Sequence, residues 1–250
     1  MSDVHGHAEA LERAGDGADV LICLGDLLAF IDYLDPSRGL FPGMFGANAA
    51  VRYIELRTAK RFDEARAMSR ELFASLGDGA RERFEREVRR SYERLFTAMP
   101  SPAYLTYGNV DLPRLWPEYV RDGHRVLDGE TMETGGVRFG FVGGGLPSPY
   151  RTPYEVDEDV HAARVTAVGE VDVLCSHIPP AVPDLLYDVV ARRYERGSEA
   201  LLAHIEATQP RYAVFGHVHQ PLAVRMRIGR TECLNVGHFR ATGAPYVLDL

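Results

Sequence analysis

An aspartate and a histidine two residues apart stand at the head of the chain, in Ser2-Asp3-Val4-His5-Gly6-His7. At the end of a strand such a pair points to one side of the backbone, so a carboxylate oxygen and an imidazole nitrogen can converge on one cation. A single Asp-x-His pair occurs often by chance. Its weight comes from four more clusters further along the chain: Gly25-Asp26, Gly108-Asn109-Val110-Asp111, Ser176-His177 and Gly216-His217-Val218-His219, each directly after a short apolar run. Glycine before Asp26, Asn109 and His217 permits a tight turn with backbone close to a cation. Mixed carboxylate, imidazole and amide-oxygen donors suit two divalent transition ions better than one closed structural zinc. A two-metal site points to phosphate-ester chemistry, with one ion activating a water and both neutralising the charge of an in-line displacement.

These clusters need strands to present them. Residues 20–24 are continuously apolar, as a strand buried on both faces must be, and deliver Gly25-Asp26. Residues 104–107 lead in the same way to Gly108-Asn109, 171–175 to Ser176-His177, and 211–215 to Gly216-His217. Only Met1 and Ser2 precede Asp3, so the native chain is expected to begin several residues upstream with an apolar strand. Residues 8–14, 155–168 and 198–208 read as helices, the last with Ser198 as its N-cap. Residues 131–134 and 137–142 form a hairpin across Gly135-Gly136, and 222–227, 231–235 and 245–250 close a second sheet.

Between Leu27 and Pro100 the pattern becomes helical and locally charged. Residues 39–46 read as an aromatic loop, and 47–59 and 62–76 as helices split near Lys60-Arg61. After Gly77-Asp78-Gly79, a third helix carries Phe84, Val88, Tyr92, Leu95 and Phe96 on one stripe, which is read as core. The expectation is one domain over residues 1–250, with a helical cap inserted at about 27–100. Residues 112–120 make a short irregular or helical return. The glycine and proline loop at 143–150 lacks the spacing of a dinucleotide or P-loop fingerprint.

A length of 250 residues is enough for one sizeable core, and the net charge of −8 excludes a general basic surface for a nucleic-acid backbone. Cys23, Cys175 and Cys233 lie far apart in apolar runs and read as buried reduced thiols. There is no run of eighteen apolar residues, nor a charged start followed by an apolar core, so the expected location is the cytoplasm.

Taken together, Asp3-x-His5, Gly25-Asp26, Gly108-Asn109, Ser176-His177 and Gly216-His217-x-His219 resemble the five blocks of the calcineurin-like metallophosphoesterase superfamily, in its order. Gly143-Gly144-Gly145, Thr152-Pro153-x-Glu155, His177-x-Pro179-Pro180, Gly197-Ser198 and Asn235-x-Gly237 are further similar to its Icc-related branch. The resemblance implies an α/β fold with two mixed sheets packed as a sandwich and flanked by helices. It implies that Asp3, His5 and His219 bind one divalent ion, that Asn109, His177 and His217 bind another, and that Asp26 bridges them. A hydroxide between the ions would be the nucleophile, with manganese, iron, zinc and nickel all open as the metal. Asp26 and Asn109 are then catalytic as well as ligating, and Asn109 and His217 also face the phosphate.

Where many relatives have a histidine after the asparagine, as proton donor, this chain has Val110. His7 replaces an asparagine or arginine often seen there and is the candidate for phosphate binding and proton donation. His124, His161, His204 and His238 are read as surface or core residues, with His238 set apart because it follows the Asn235-x-Gly237 loop. The expected reaction is phosphodiester hydrolysis of a small, nucleotide-like substrate, with no membrane and no stable nucleic-acid partner. Phosphomonoester hydrolysis, or a catalytically weak scaffold of the same fold, is the alternative, and the oligomeric state is open.

Overall fold

The computed structural model describes residues 1–33, 35–149 and 151–250; Leu34, and Tyr150 at the end of the glycine and proline loop, lie outside the described residues. In chain order, α1 (Ala8–Leu11) and β1 (Leu21–Cys23) are followed by α2 (Leu40–Phe45), α3 (Ala47–Thr58), α4 (Phe62–Ser75) and α5 (Ala80–Ala98). Next come β2 (Ala103–Leu105), β3 (His124–Val126), β4 (Glu130–Thr134), β5 (Val137–Val142), α6 (Glu158–Val168) and β6 (Val173–Ser176). The chain continues through α7 (Pro183–Leu186), β7 (Tyr187–Asp188), β8 (Arg193–Tyr194), α8 (Glu199–Thr208), β9 (Tyr212–Phe215), β10 (Arg225–Ile228), β11 (Thr231–Asn235) and α9 (Phe239–Thr242).

Strands β1, β2 and β3 form a parallel sheet. The order β10-β11-β9-β6-β5-β4 forms a mixed one, parallel at its centre and antiparallel at both edges. Side chains alternate across each sheet with the period of two that pleating imposes. Leu21, Cys23, Ala103 and Leu105 face a helical layer containing Leu11, Val88, Tyr92, Leu95 and Phe96. Ile22 and Tyr104, between them, face the other sheet and meet Phe139, Phe141, Val173, Cys175 and Val214. The far side of that sheet, through Val142, Leu174, Ala213 and Phe215, packs on Val165, Val168, Leu201 and Ile205 of α6 and α8. The result is a helix–sheet–sheet–helix sandwich, the α/β class expected from the sequence. All three cysteines are buried and free, and among the described residues no helix is long and apolar enough to cross a membrane.

Two local expectations are corrected. Residues 39–46 hold the short helix α2 rather than a loop. Pro42 falls in its first turn, where no intrahelical amide bond is lost, and packing overrides weak propensity: Phe41 meets Tyr53, and Phe45 meets Phe73, each at 5.0 Å between ring centroids. Residues 245–250 form no strand. Pro245 lacks an amide donor, and Tyr246 and Val247 are 46% and 73% exposed, so no buried face rewards extension there.

Ser198 caps α8 by accepting from Leu201 N at 3.1 Å, and its hydroxyl also meets His161 Nδ1 at 3.3 Å. His161 Nε2 is buried without a hydrogen-bond partner among the described residues. Burial, and then Arg164, push its pKa down to about 4. The folded form therefore resists a proton that the unfolded chain accepts near pH 6.5. Stability from this site is complete above that pH and lost on acidification toward pH 4, by about 3 kcal/mol in full. His161→Gln should flatten the fall in melting temperature between pH 7 and pH 4.5 relative to the wild type. A difference between the two proteins that does not change with pH would show that His161 is not the titrating group.

Candidate metal centre

The four central ligand clusters emerge from the carboxyl ends of parallel strands, two from each sheet: Asp26 after β1, Asn109 after β2, His177 after β6, and His217 with His219 after β9. Asp3 and His5 join them because the first residues lie alongside β1. Leu24 N donates to Met1 O at 2.9 Å, Asp3 N to Gly25 O at 3.1 Å and His5 N to Asp26 O at 2.9 Å.

All seven predicted ligands come together. His5 Nε2 lies 3.0 Å from His219 Nε2, and Asp3 Oδ1 lies 3.9 Å from the first and 3.5 Å from the second. Asn109 Oδ1 lies 2.8 Å from His177 Nε2 and 2.9 Å from His217 Nδ1. Asp26 stands between the groups: Oδ2 is 3.9 Å from His5 Nε2, and Oδ1 is 3.5 Å from His177 Nε2.

The donor chemistry fits cations. His5 Nδ1 donates to Leu28 O and His177 Nδ1 to Leu24 O, each at 2.9 Å. In a neutral ring the other nitrogen then carries a bare lone pair. For His177 that lone pair faces the carbonyl oxygen of Asn109, and for His5 it faces a second imidazole. Acceptors aimed at acceptors are satisfied by a metal ion.

Backbone strain collects at the same place. Asp3, His5, Asp26 and His217 have φ of 59°, 42°, 53° and 68°, in the left-handed region that most side chains avoid. Such conformations cost of order 1–3 kcal/mol each and persist where the surroundings over-determine them. The loops are also pressed together: a Cβ on Gly25 would stand 1.9 Å from Gly108 N, and one on Gly108 would stand 2.0 Å from Asp26 Oδ1. Only glycine at both positions lets the turns after β1 and β2 touch.

A sequence profile described as calcineurin-like phosphoesterase matches residues 1–221. The chain belongs to the calcineurin-like phosphoesterase family. No curated protein matches it by sequence. One crystal structure shares the fold with a TM-score of 0.59 at 16% identity, covering 96% of this chain and 89% of the other. The crystal structure of TT1561 of Thermus thermophilus does so with a TM-score of 0.52 at 16% identity, covering 96% and 88%. As a member of this family the protein is a phosphoester hydrolase that works with divalent metal ions.

Metal binding in this phosphoesterase requires ionised carboxylates and neutral imidazoles, the form that Asp3, His217 and His5 favour. Burial opposes charge on Asp3, yet the His219 ring and the other histidines hold its carboxyl well below the usual range. Burial and then His177 push His217 down to about 4, and burial and then His219 lower His5. His219 moves the other way: burial lowers it, but contact with Asp3 raises it overall.

The sequence pattern left His238 outside the site, whereas the structure sets it beside the ligands. Its ring stacks on His219 at 4.0 Å and 10°, and meets His5 edge-on at 5.9 Å. Ring nitrogens of His5, His219 and His238 lie within 4.8 Å of one another. The available signal was the Asn235-x-Gly237 motif just before it. Asn235 Nδ2 donates to Val218 O at 2.9 Å and its Oδ1 accepts from Gly237 N at 3.0 Å, tying this loop to the one that carries His217 and His219. His7 is oriented differently: its ring lies against Phe239 at 6.1 Å.

Asp111 is the second residue whose role the pattern did not reveal. It is wholly buried. Its Oδ1 accepts from Leu27 N at 3.1 Å and from the Tyr92 hydroxyl at 3.4 Å, and its Oδ2 from Gly108 N at 2.9 Å. The carboxylate thus bolts the Asp26 loop to the Asn109 loop. Asp111→Asn turns an amide toward one of these N–H donors. We expect metal affinity to fall about 10–100-fold with the fold intact, as read by metal titration beside circular dichroism. Unchanged affinity would reduce Asp111 to a packing residue.

Proposed function

We propose that the protein is a dinuclear phosphodiesterase acting on a small, nucleotide-like substrate. The observation that carries this reading is Asp26, whose two oxygens address two separate donor groups. On this reading Asp3, His5 and His219 hold one ion, Asn109, His177 and His217 the other, and Asp26 both, with His238 beside the first. Bound there, the ions would supply an activated water and positive charge against the phosphoryl transition state. The residues themselves set the frame. Val110 N donates to Asp26 Oδ1 at 3.0 Å, and His217 N to Asp3 Oδ2 at 3.0 Å, so backbone amides fix both carboxylates.

Two carboxylates against two divalent ions leave the centre net positive, an attractive seat for a phosphate anion in a chain of net charge −8. Valine at position 110 carries no proton for a leaving group, which favours diesters with stable leaving anions. The insertion at about residues 27–100, between β1 and β2, is the proposed cap over substrate access, with α2 to α4 as its outer part and α5 packed on the sheet. Three buried free thiols suit a reducing compartment such as the cytoplasm. A catalytically weak, metal-binding scaffold of the same fold is the alternative, distinguished by its lack of turnover rather than by its metal content.

The test is a screen of the manganese-, iron-, zinc- and nickel-loaded protein against phosphomonoesters and phosphodiesters, cyclic nucleotides included. Diester turnover should exceed monoester turnover, vanish with chelator and return with metal. Faster monoester turnover would make it a monoesterase, and two bound ions without turnover of either would make it a scaffold.

A further inference from the structure

Several surface arginines of this acidic chain pair with a carboxylate one helical turn away, as Arg52 does with Glu55, Arg61 with Glu64 and Arg90 with Glu87. Arg57, Arg66, Arg70 and Arg193 gather instead around a cavity of about 360 Å³ between α3, α4 and β8, which Tyr53 and Phe62 also line. None of its lining residues is acidic. Among the described residues Arg70 makes no ion pair, and Arg57 lies over the Phe62 ring at 5.4 Å. Arg66 reaches Asp63 only at 3.8 Å, between exposed side chains, and Arg193 pairs with Glu195. Four guanidiniums thus share one cavity in a protein of net charge −8. Cations gathered from separate elements repel one another unless an anion lies between them.

The chemistry of the lining specifies that anion. Guanidinium forks match phosphate oxygens two at a time, and Arg is the side chain suited to binding them away from bulk water. Tyr53 and Phe62 add aromatic surface for a flat ring, beside cations that strengthen such stacking. We propose that this cavity is a second binding site, sharing no residue with the metal centre, for a nucleoside polyphosphate or a closely similar aromatic polyphosphate. Its occupant would tie α3 and α4 to the β7–β8 hairpin. That hairpin is itself joined to the segment after His219, with Gln220 N donating to Asp188 Oδ2 at 3.2 Å and Val189 N to Gln220 O at 2.9 Å.

The test is calorimetric titration of the metal-loaded, full-length protein with methylene-bridged adenosine triphosphate and, separately, inorganic triphosphate. For the nucleotide we expect a binding component that Arg70→Glu, and Arg57→Gln together with Arg70→Gln, each weaken by roughly tenfold or more. Metal content and melting temperature should stay at wild-type values, and Arg70→Lys should keep part of the affinity. Equal nucleotide affinity in the wild type and both arginine variants would overturn the proposal. So would binding that depends only on the metal, since the phosphates would then sit at the metal centre. Inorganic triphosphate binding as tightly as the nucleotide would remove the aromatic ring from the ligand.

Discussion

Asp26→Ala is expected to empty or scramble both metal positions at once and to lower phosphoester turnover by at least about 10³-fold. The Asp26 carboxylate addresses both groups of donors. Oδ2 faces His5 and Oδ1 faces His177, and the latter oxygen also receives Val110 N, so the residue is held from the backbone as well. His219→Ala removes one imidazole from one group and should weaken one ion while the other stays bound. Elemental analysis separates the cases: two ions in the wild type, about one in His219→Ala at limiting metal, and neither in stoichiometric amount in Asp26→Ala. One tightly held zinc in the wild type, with no second site at saturating manganese, would overturn the dinuclear reading.

Much of this centre was legible because its ligands follow buried strands. A continuous apolar run ending in glycine and a donor residue is a local pattern that β1 and β9 carry, with serine in glycine's place before His177 after β6. The parts that escaped notice depend on contacts distant in sequence. Asp111 reads as a loop aspartate until the turn holding Leu27, 84 residues away, is laid against it. His238 reads as an ordinary histidine until the loop held by Asn235 swings it onto His219. The helix α2 failed for a related reason: Pro42 and Gly43 argue against a helix locally, and the aromatic rings of α3 and α4 decide otherwise. Residues 245–250 looked like a strand because they are apolar, but apolar residues extend only where a partner buries them.

Hydrolysis should depend steeply on the leaving group. Splitting an ester of a simple alcohol needs a proton delivered to the departing oxygen, and such help is worth about 10² to 10⁴ in rate. Val110 stands where many relatives have a histidine for that task, and its side chain cannot do it. Aryl diesters, whose leaving groups depart as stable anions, are therefore expected to turn over faster than alkyl monoesters by a factor in that range. Val110→His should raise the rate on alkyl esters more than on aryl ones. Two other imidazoles are the candidate substitutes: His7 on the loop of His5, with its ring against Phe239, and His238 with its ring against His219. If either delivers the proton, its replacement by alanine should slow alkyl esters selectively and leave aryl esters near the wild-type rate. His238→Phe adds a control, because it keeps a ring to stack on His219 but has no nitrogen. A loss seen with alanine and not with phenylalanine assigns His238 a positioning role, and a loss with both assigns it a chemical one. Should the wild type already hydrolyse alkyl monoesters best, with no variant changing the dependence on leaving group, the missing proton donor is not what selects the substrate. The monoesterase alternative then takes its place.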